Sequence, residues 1–403
     1  MAANLPGSLL KDEGESLEQY HIRIYSNMDT YEIDKYTAAN LVNDAHGTDY
    51  DESKWRKDYA QYLKWKPYFI KENLDEDRLA KYEEKRLEQE KEKYRNADQK
   101  REYRKMVRES ARFDKLKDDV VSSVEKLGKV KPLPFHNQNF INPDSSKHGL
   151  ALFSDWHYGM DVDNTFNKFN QAIFNERVDK LVSKVIDYGQ KNDISTLHIG
   201  QLGDLISGDI HVSTRVQANE DLIEQIMYVS EVLAEVINKL ASVFPLVKYY
   251  NVIGNHARAG KKSEVGLKEN FEYLVPWYLE SRLKDLDNVE IIVDKDGYIE
   301  AQIFNESLVF VHGNFDQADK AVTKLPQLLG YVPTRIIGGH VHHNYMKEHG
   351  VTTTHVNGSL IGLDDFATQG RYGGVPSQKF MVFDKTDGLE CEYIIKFNNG
   401  KTV

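Results

Sequence analysis

At 403 residues the chain is longer than one ordinary domain, and its 40% hydrophobic and 29% charged residues are typical of a soluble protein with a sizeable core. No run reaches the roughly 18 apolar residues that a membrane helix needs, and the first residues lack the pattern of a signal peptide. The single cysteine, Cys391, excludes an internal disulfide. We therefore expect a cytoplasmic protein with no membrane partner. The net charge of −11 argues only weakly against a nucleic-acid partner, because the global count does not settle the charge at a binding site.

Residues 1–73 are rich in aromatic side chains and predict a small helical domain. An apolar stripe over residues 32–43 predicts one helix, and Gly47 marks a turn. A second helix is expected from about Asp51, with lysine and arginine side chains on its outer face. This pattern resembles a helix-turn-helix, which would bind DNA; a small helical domain without that role is the alternative.

Residues 74–130 predict a charged helical connector. The stretch is dense in Lys, Arg and Glu and has no Gly or Pro before residue 128. Several Glu and Lys residues stand three positions apart, which supports an exposed helix. The alternative is a homo-oligomer that forms through the later apolar residues of the connector, which are Phe113, Leu116, Val120, Val124 and Leu127.

Residues 145–403 alternate short apolar strands with helical stretches, which predicts an α/β domain. The predicted strands cover residues 149–154, 196–201, 247–253, 289–293, 299–304, 308–311, 335–337, 352–356, 379–383 and 393–397. The predicted helices cover residues 168–190, 216–241, 265–284 and 320–329.

Five short segments, each after a predicted strand, carry side chains that could take part in binding or catalysis. In open α/β sheets such loops converge on one crevice. Their carboxylate, imidazole and amide donors suit manganese, zinc or iron, whereas calcium would not favour four histidines. One bridging carboxylate with three further ligands per ion is typical of a two-metal hydrolase. The seven side chains are Asp155, His157, Asp204, Asn255, His312, His340 and His342.

These segments resemble the signature of the calcineurin-like metallophosphoesterases. The segments that carry the resemblance are Asp155-Trp156-His157, Gly203-Asp204, Gly254-Asn255-His256, His312 and Gly339-His340-Val341-His342. The resemblance implies a two-sheet sandwich flanked by helices. It also implies one metal bound by Asp155, His157 and His342, a second bound by Asn255, His312 and His340, and Asp204 as the bridge between them.

The resemblance further implies that His256 contacts the phosphate and assists the leaving oxygen. Many relatives have an acidic residue after the Asn-His pair, but this chain has Ala257 and then Arg258. We expect Asp209 to orient His256 in its place. A guanidinium suits phosphate binding, so we predict that Arg258 contacts the substrate; a surface ion pair is the alternative.

Within the family the nuclease subgroup is the nearest match, with SbcD-type repair exonucleases and phage-encoded relatives. The resemblance implies a DNA nuclease that uses a metal-bridging hydroxide and two divalent ions, with Mn²⁺ expected and Fe²⁺ or Zn²⁺ as alternatives. A small-molecule or cyclic-nucleotide phosphodiesterase or phosphatase is the second hypothesis. A third is a DNA-binding protein with a silent metal site, which seven intact ligands argue against.

Overall fold

The computed structural model describes residues 9–73, 75–127, 131–134, 136–209, 218, 220–260, 262–263, 265–294, 296–315, 318–371 and 374–398. The chain divides into two compact units, Met1–Ser110 and Ala111–Val403. None of the helices in the described ranges combines the length and the apolar character that a membrane crossing requires. The side chains on which self-association of the connector was predicted, from Phe113 to Leu127, lie outside the described residues.

The first unit is helical, as predicted. Its helices are α1 (Leu17–Ser26), α2 (Lys35–His46), α3 (Glu52–Asn73) and the start of α4 (Glu76–Leu127). The core that joins α1, α2 and α3 contains Tyr20, Ile24, Val42 and Trp55.

Local capping sets the ends of α2. The helix begins three residues later than the apolar stripe suggests, because the Asp34 side chain accepts a hydrogen bond from the Thr37 amide and acts as N-cap. It ends at Gly47, whose φ of 64° lies in the left-handed region that glycine adopts without strain. The predicted turn at Gly47 is therefore confirmed.

The side chain of Asn43 fastens the turn between α2 and α3. Its Oδ1 accepts hydrogen bonds from Thr48 Oγ1 at 3.0 Å, from the Tyr50 amide at 3.0 Å and from Trp55 Nε1 at 2.8 Å. Its Nδ2 donates to the Tyr50 carbonyl at 2.8 Å. One buried amide thus satisfies the polar groups of the turn and of the core tryptophan.

We expect Asn43→Ala to lower the free energy of unfolding of the first unit by about 1–3 kcal/mol, because three donors lose their acceptor in a buried position. Denaturant unfolding followed by circular dichroism measures the change. Asn73→Ala is the matched control, since Asn73 makes one exposed hydrogen bond to Phe69 at the end of α3. Equal stability of the two variants would contradict the role of Asn43.

The second unit contains the strands and the remaining helices. Its strands are β1 (Lys147–Phe153), β2 (Val162–Asp163), β3 (Lys168–Phe169), β4 (Ile194–Leu202), β5 (Leu246–Val252), β6 (Val289–Val293), β7 (Tyr298–Ile303), β8 (Glu306–Val311), β9 (Arg335–Gly338), β10 (Tyr345–His349), β11 (Thr352–Val356), β12 (Ser377–Asp384) and β13 (Gly388–Lys396). Its helices are α5 (Gln171–Lys191), α6 (Leu222–Ala241), α7 (Leu274–Arg282), α8 (Ala318–Leu329) and α9 (Asp365–Gly370).

Two sheets form the centre of this unit. The first has the strand order β13-β12-β1-β4-β5-β6 and the second β10-β11-β9-β8-β7, while β2 pairs with β3 in a short ribbon. Strands β1, β4, β5 and β6 run parallel, and so do β8, β9 and β11. Parallel strands end at the same edge of a sheet, so the loops after them lie together.

Successive side chains of β1 point to opposite faces of the first sheet and so pack into different cores. Leu150 and Leu152 point into the core between the two sheets, together with Phe310 of β8. Ala151 and Phe153 point to the other face, in the core that α5 and α6 cover. A further core, which includes Val309, Ala321 and Leu325, joins α8 to the second sheet. The mixed α/β arrangement with flanking helices is thus confirmed.

Several predicted elements differ from the structure. The helix predicted over 265–284 is wrong in its first part, because a 3₁₀ turn at Phe271–Tyr273 precedes α7. The helix predicted from residue 168 begins at Gln171, after β3 and an Asn170 cap. The helix predicted over 216–241 begins at Leu222, and residues 216–217 lie outside the described part. Strands β2, β3 and β10 were not predicted.

Candidate metal centre

All seven predicted ligands lie just after parallel strands, at the carboxyl-terminal edges of both sheets. In chain order they are Asp155 and His157 after β1, Asp204 after β4, Asn255 after β5, His312 after β8, and His340 and His342 after β9. The structure brings donor atoms of these side chains within a few ångströms of one another, as the following distances show.

A first group of donors consists of Asp155, His157 and His342. His157 Nε2 lies 3.1 Å from His342 Nε2 and 3.9 Å from Asp155 Oδ1. His342 Nε2 lies 3.4 Å from the same carboxylate oxygen. Three ligand atoms therefore face one common point, and the group could hold a metal ion.

A second group surrounds His312. Its Nε2 lies 3.1 Å from Asn255 Oδ1, 3.1 Å from His340 Nδ1 and 3.0 Å from Asp204 Oδ2. Its Nδ1 lies 2.7 Å from the Leu202 carbonyl and donates to it, which leaves Nε2 directed at the other donors. Asp204, His312 and His340 could also hold a metal ion.

Asp204 lies between the two groups. Its Oδ2 is 3.0 Å from His312 Nε2 on one side and 4.0 Å from His157 Nε2 on the other. Its Oδ1 accepts hydrogen bonds from the amides of Asn255 at 2.7 Å and His256 at 2.8 Å. The backbone thus fixes one oxygen and leaves the other free to serve both groups.

The donor atoms cannot satisfy one another through hydrogen bonds, whereas bound cations would satisfy them. In each group two imidazole nitrogens lie 3.1 Å apart, and only one nitrogen of such a pair can carry the shared proton. Carboxylate oxygens that are almost fully buried lie beside both pairs. A divalent ion in each group would accept these lone pairs and offset the buried negative charge.

Backbone strain is concentrated at the same residues. Among the described non-glycine residues, nine have positive φ, and five of these nine are predicted ligands. Such conformations cost about 1–3 kcal/mol each and persist where surrounding structure enforces them, often at functional sites. The five are Asp155 (φ 51°), His157 (46°), Asp204 (54°), His340 (72°) and His342 (59°).

Two glycines allow the strands to approach so closely. Gly203 has φ of 90°, and a Cβ there would lie 2.6 Å from Gly254 Cα, on the neighbouring ligand loop. A Cβ at Gly339 would lie 2.6 Å from Asp155 Oδ2. Any side chain at either position would push the ligand loops apart.

Burial and mutual charge move the pKa values of the histidines in opposite directions. Burial lowers the pKa of His340 to about 4, with a contribution from the His312 charge. Burial alone would also lower the pKa of His312, but the Asp204 carboxylate outweighs it and raises that pKa to about 9. Without metal, a proton on His312 therefore offsets part of the carboxylate charge.

A carboxylate that was not predicted lies behind the ligands. Glu272 is 0% exposed and accepts hydrogen bonds from the Leu205 amide at 2.6 Å and the Gly254 amide at 2.5 Å. These amides belong to the loops that carry Asp204 and Asn255. Burial, and then the Asp204 charge, raise the pKa of Glu272 to about 7. Glu272 thus joins two ligand loops, yet nothing in its local sequence marks it.

His256 lies at the edge of the centre. Its Nε2 is 3.9 Å from Asp204 Oδ2, and its side chain is 17% exposed, against 1% for Asp204. Its Nδ1 lies 2.8 Å from the carbonyl of Ser207 and donates to it, so Nε2 faces the donors. Gln225 Oε1 accepts from Ser207 Oγ and the Gly208 amide, both at 3.1 Å, and holds this loop.

Asp209 and Arg258 lie near His256 along the chain. The Asp209 side chain is exposed, and a backbone carbonyl, that of Ser207, contacts His256 Nδ1; an orienting role for Asp209 stays a prediction. Arg258 is partly buried, and its Nε has no hydrogen-bond partner among the described residues. Arg258 and Asn270 pair with each other across an isolated β-bridge. The Glu272 amide donates to Asn270 Oδ1 at 2.9 Å, which connects this loop to Glu272.

Comparison with known proteins finds a family match in the N-terminal residues and a relative that is similar over nearly the whole chain. Residues 6–74 match the family described as the YonJ N-terminal domain. The chain is 25% identical over 407 residues to the SPbeta prophage-derived uncharacterized protein YonJ of Bacillus subtilis (strain 168). That similarity covers 97% of this chain and 99% of the Bacillus protein. It therefore extends over both units.

Solved structures similar to this chain include Vacuolar Protein Sorting 29 from Cryptosporidium parvum, at 15% identity over 64% of this chain and 95% of that one, with a TM-score of 0.33. A novel archaeal phosphodiesterase is 12% identical over 62% of this chain and 99% of its own, with a TM-score of 0.32. Yfce, a phosphoesterase from E. coli, is 14% identical over 62% and 100%, with a TM-score of 0.30.

We expect Asp204→Asn to reduce bound metal from two ions per chain to one or none, because the neutral amide cannot offset two cations. Metal content after dialysis, measured by inductively coupled plasma mass spectrometry, tests this. Asp209→Asn is the matched control and should keep both ions, since Asp209 is exposed. Loss of metal from the control alone would contradict the position assigned to Asp204.

Metal affinity should rise with pH. Below about pH 9 the His312 imidazole is protonated in the metal-free protein, so a metal must displace that proton. The apparent affinity should increase by up to about tenfold per pH unit and level off above pH 9. Titration with Mn²⁺ between pH 6.5 and 8.5 measures the slope. An affinity that is constant over this range would contradict the protonated state of His312.

Proposed function

We propose that this protein is a dinuclear-metal phosphodiesterase, and that its substrate is DNA. The observation that carries the proposal is the position of Asp204, whose Oδ2 lies between two sets of buried nitrogen and oxygen donors. Two cations on either side of one carboxylate form the arrangement that clamps a phosphoryl group.

Under this proposal the two donor groups hold one ion each, with Asp204 shared. Mixed imidazole, carboxylate and amide donors suit Mn²⁺, which we propose, and they also accept Fe²⁺ or Zn²⁺. When bound, such ions supply positive charge for a phosphate and lower the pKa of water. The chain contributes the strained loops, and their hydrogen bonds hold the donors in position.

His256 would assist the leaving group. The Ser207 carbonyl binds Nδ1, so Nε2 is the nitrogen that faces the centre. Because this ring is 17% exposed, against 1% for both Asp204 and His312, a substrate oxygen can reach it. A proton on Nε2 would pass to the departing oxygen, which is the task of a general acid.

Two cationic side chains that follow His256 in the sequence support an extended phosphate substrate. Arg258 has a buried Nε for which the described part of the chain offers no hydrogen-bond partner, and a phosphate oxygen would satisfy it. Lys262 is exposed, with its Nζ 5.1 Å from the Phe315 ring centroid. Basic side chains that follow His256 within a few residues would favour a polymer such as DNA over a small ester. The similarity to a prophage-derived protein agrees with a phage-like nuclease.

We expect His256→Ala to lower kcat about 100- to 10,000-fold while both metal ions stay bound, because a general acid contributes that factor. His343→Ala is the matched control: His343 is exposed, and its Nδ1 contacts the Val341 carbonyl of its own loop. The assay uses Mn²⁺ with bis-p-nitrophenyl phosphate. Full activity of His256→Ala would contradict the role.

The substrate is tested with end-labelled single-stranded and double-stranded DNA beside cyclic nucleotides and phosphate monoesters. Preferred cleavage of DNA is the expected result. Preference for a cyclic nucleotide or monoester would replace the DNA proposal and keep the metal chemistry. A metal-loaded protein that hydrolyses none of these esters would overturn both.

A further inference from the structure

The second half of α3 exposes large aromatic side chains. Trp65 is 51% exposed, and Tyr68 and Phe69 are each 62% exposed. Their spacing of three and four residues puts them on one face of the helix. The Trp65 and Tyr68 ring centroids are 5.7 Å apart, with planes tilted by 55°. Adjacent exposed rings are typical of a binding surface.

A line of lysines runs beside these rings. Lys57, Lys64 and Lys71 are seven residues apart and therefore form one stripe along α3, about 21 Å long. None of the three forms an ion pair with a described residue. Lys64 Nζ lies 5.6 Å from the Trp65 ring centroid, so the stripe adjoins the aromatic face.

In the first turns of α3, two of the three basic residues already form ion pairs. Lys54 Nζ lies 2.6 Å from Asp58, and Arg56 Nε lies 3.2 Å from Glu52. A helix-turn-helix protein reads DNA with the first turns of its second helix. Of the lysines without an ion pair to a described residue, Lys64 and Lys71 lie further along, on the part of the helix that carries the exposed rings.

The charge of this segment distinguishes it from the neighbouring helix. Residues 54–73 contain six basic and two acidic residues. Residues 76–104 of α4 contain ten basic and nine acidic residues, although Tyr94 and Tyr103 are also exposed there. The combination of excess positive charge with clustered rings is thus a feature of α3.

We propose that the face formed by Trp65, Tyr68 and Phe69, with the stripe of Lys57, Lys64 and Lys71, binds single-stranded nucleic acid. Unpaired bases stack on the rings, and the lysines follow the phosphates. A protein partner would not need an unpaired lysine row, whereas a polyanion does. The proposal deepens the proposed function and rests on it for the substrate class, but its binding is measured apart from hydrolysis.

The test uses the full-length, metal-loaded chain carrying His256→Ala, so that a fluorescein-labelled (dT)20 probe stays intact. Anisotropy gives Kd over a range of salt concentrations for the parent, for a Trp65→Ala/Tyr68→Ala variant, and for a Lys57→Gln/Lys64→Gln/Lys71→Gln variant. Tyr94→Ala is the matched control for an exposed ring. Circular dichroism checks that each variant is folded.

The Trp65→Ala/Tyr68→Ala variant (the ring variant) should bind (dT)20 about 5- to 100-fold more weakly than the parent. The lysine variant should flatten the slope of log K against log salt by about 2. Tyr94→Ala should bind like the parent, and a duplex probe should bind more weakly than (dT)20. With His256 intact, both α3 variants should hydrolyse bis-p-nitrophenyl phosphate at the normal rate.

Unchanged (dT)20 binding in both variants would overturn the proposal, and so would a parent chain that does not bind the probe. Light scattering separates the alternative occupant: if the ring variant loses self-association and keeps (dT)20 binding, the face is a protein interface. Failure of hydrolysis with all esters, combined with normal (dT)20 binding, would overturn the nuclease function and leave this surface in place.

Discussion

The site depends on the way the backbone holds the Asp204 carboxylate. Amides of Asn255 and His256 donate to Oδ1, so the carboxylate cannot rotate away from the two donor groups. Its Oδ2 then lies within 4.0 Å of histidines from both groups. Asp204 itself has a strained backbone, and Glu272 joins its loop to the loop that carries Asn255.

Buried negative charge explains why so many cationic or metal-binding groups surround this point. Asp155, Asp204 and Glu272 are each at most 1% exposed, and buried carboxylates without cations are costly. In the metal-free chain, two effects reduce that cost: His312 carries a proton, and the raised pKa of Glu272 favours its neutral form. Two divalent ions would neutralise the charge more fully, which is why metal binding and proton release should be linked.

Much of this arrangement could be predicted from the sequence, because it follows parallel strands. The strands before Asp155 and His312 end in continuous apolar runs, residues 150–153 and 308–311, and buried parallel strands take that form. The strand before Asp204 is buried throughout, although it includes polar residues. The loops after such strands meet at one sheet edge, so the seven donors could be grouped before any coordinates were known. A separate signal, the glycine at position 47, located the turn that ends α2.

Other features could not be predicted, since they depend on tertiary contacts. Glu272 was placed inside a predicted helix, but Asn270 caps a 3₁₀ turn there and turns the carboxylate inward. The group on His256 Nδ1 is the Ser207 carbonyl, and a backbone atom leaves no mark in a sequence. Strand β10, Tyr345–His349, is a mostly exposed edge strand and shows no apolar alternation.

Anomalous X-ray scattering at the manganese edge, from crystals grown with Mn²⁺, would test the central claim most directly. We predict two peaks, one on each side of the Asp204 carboxylate, with Asp155, His157 and His342 around one and Asn255, His312 and His340 around the other. A single peak, or none at Asp204, would contradict the account.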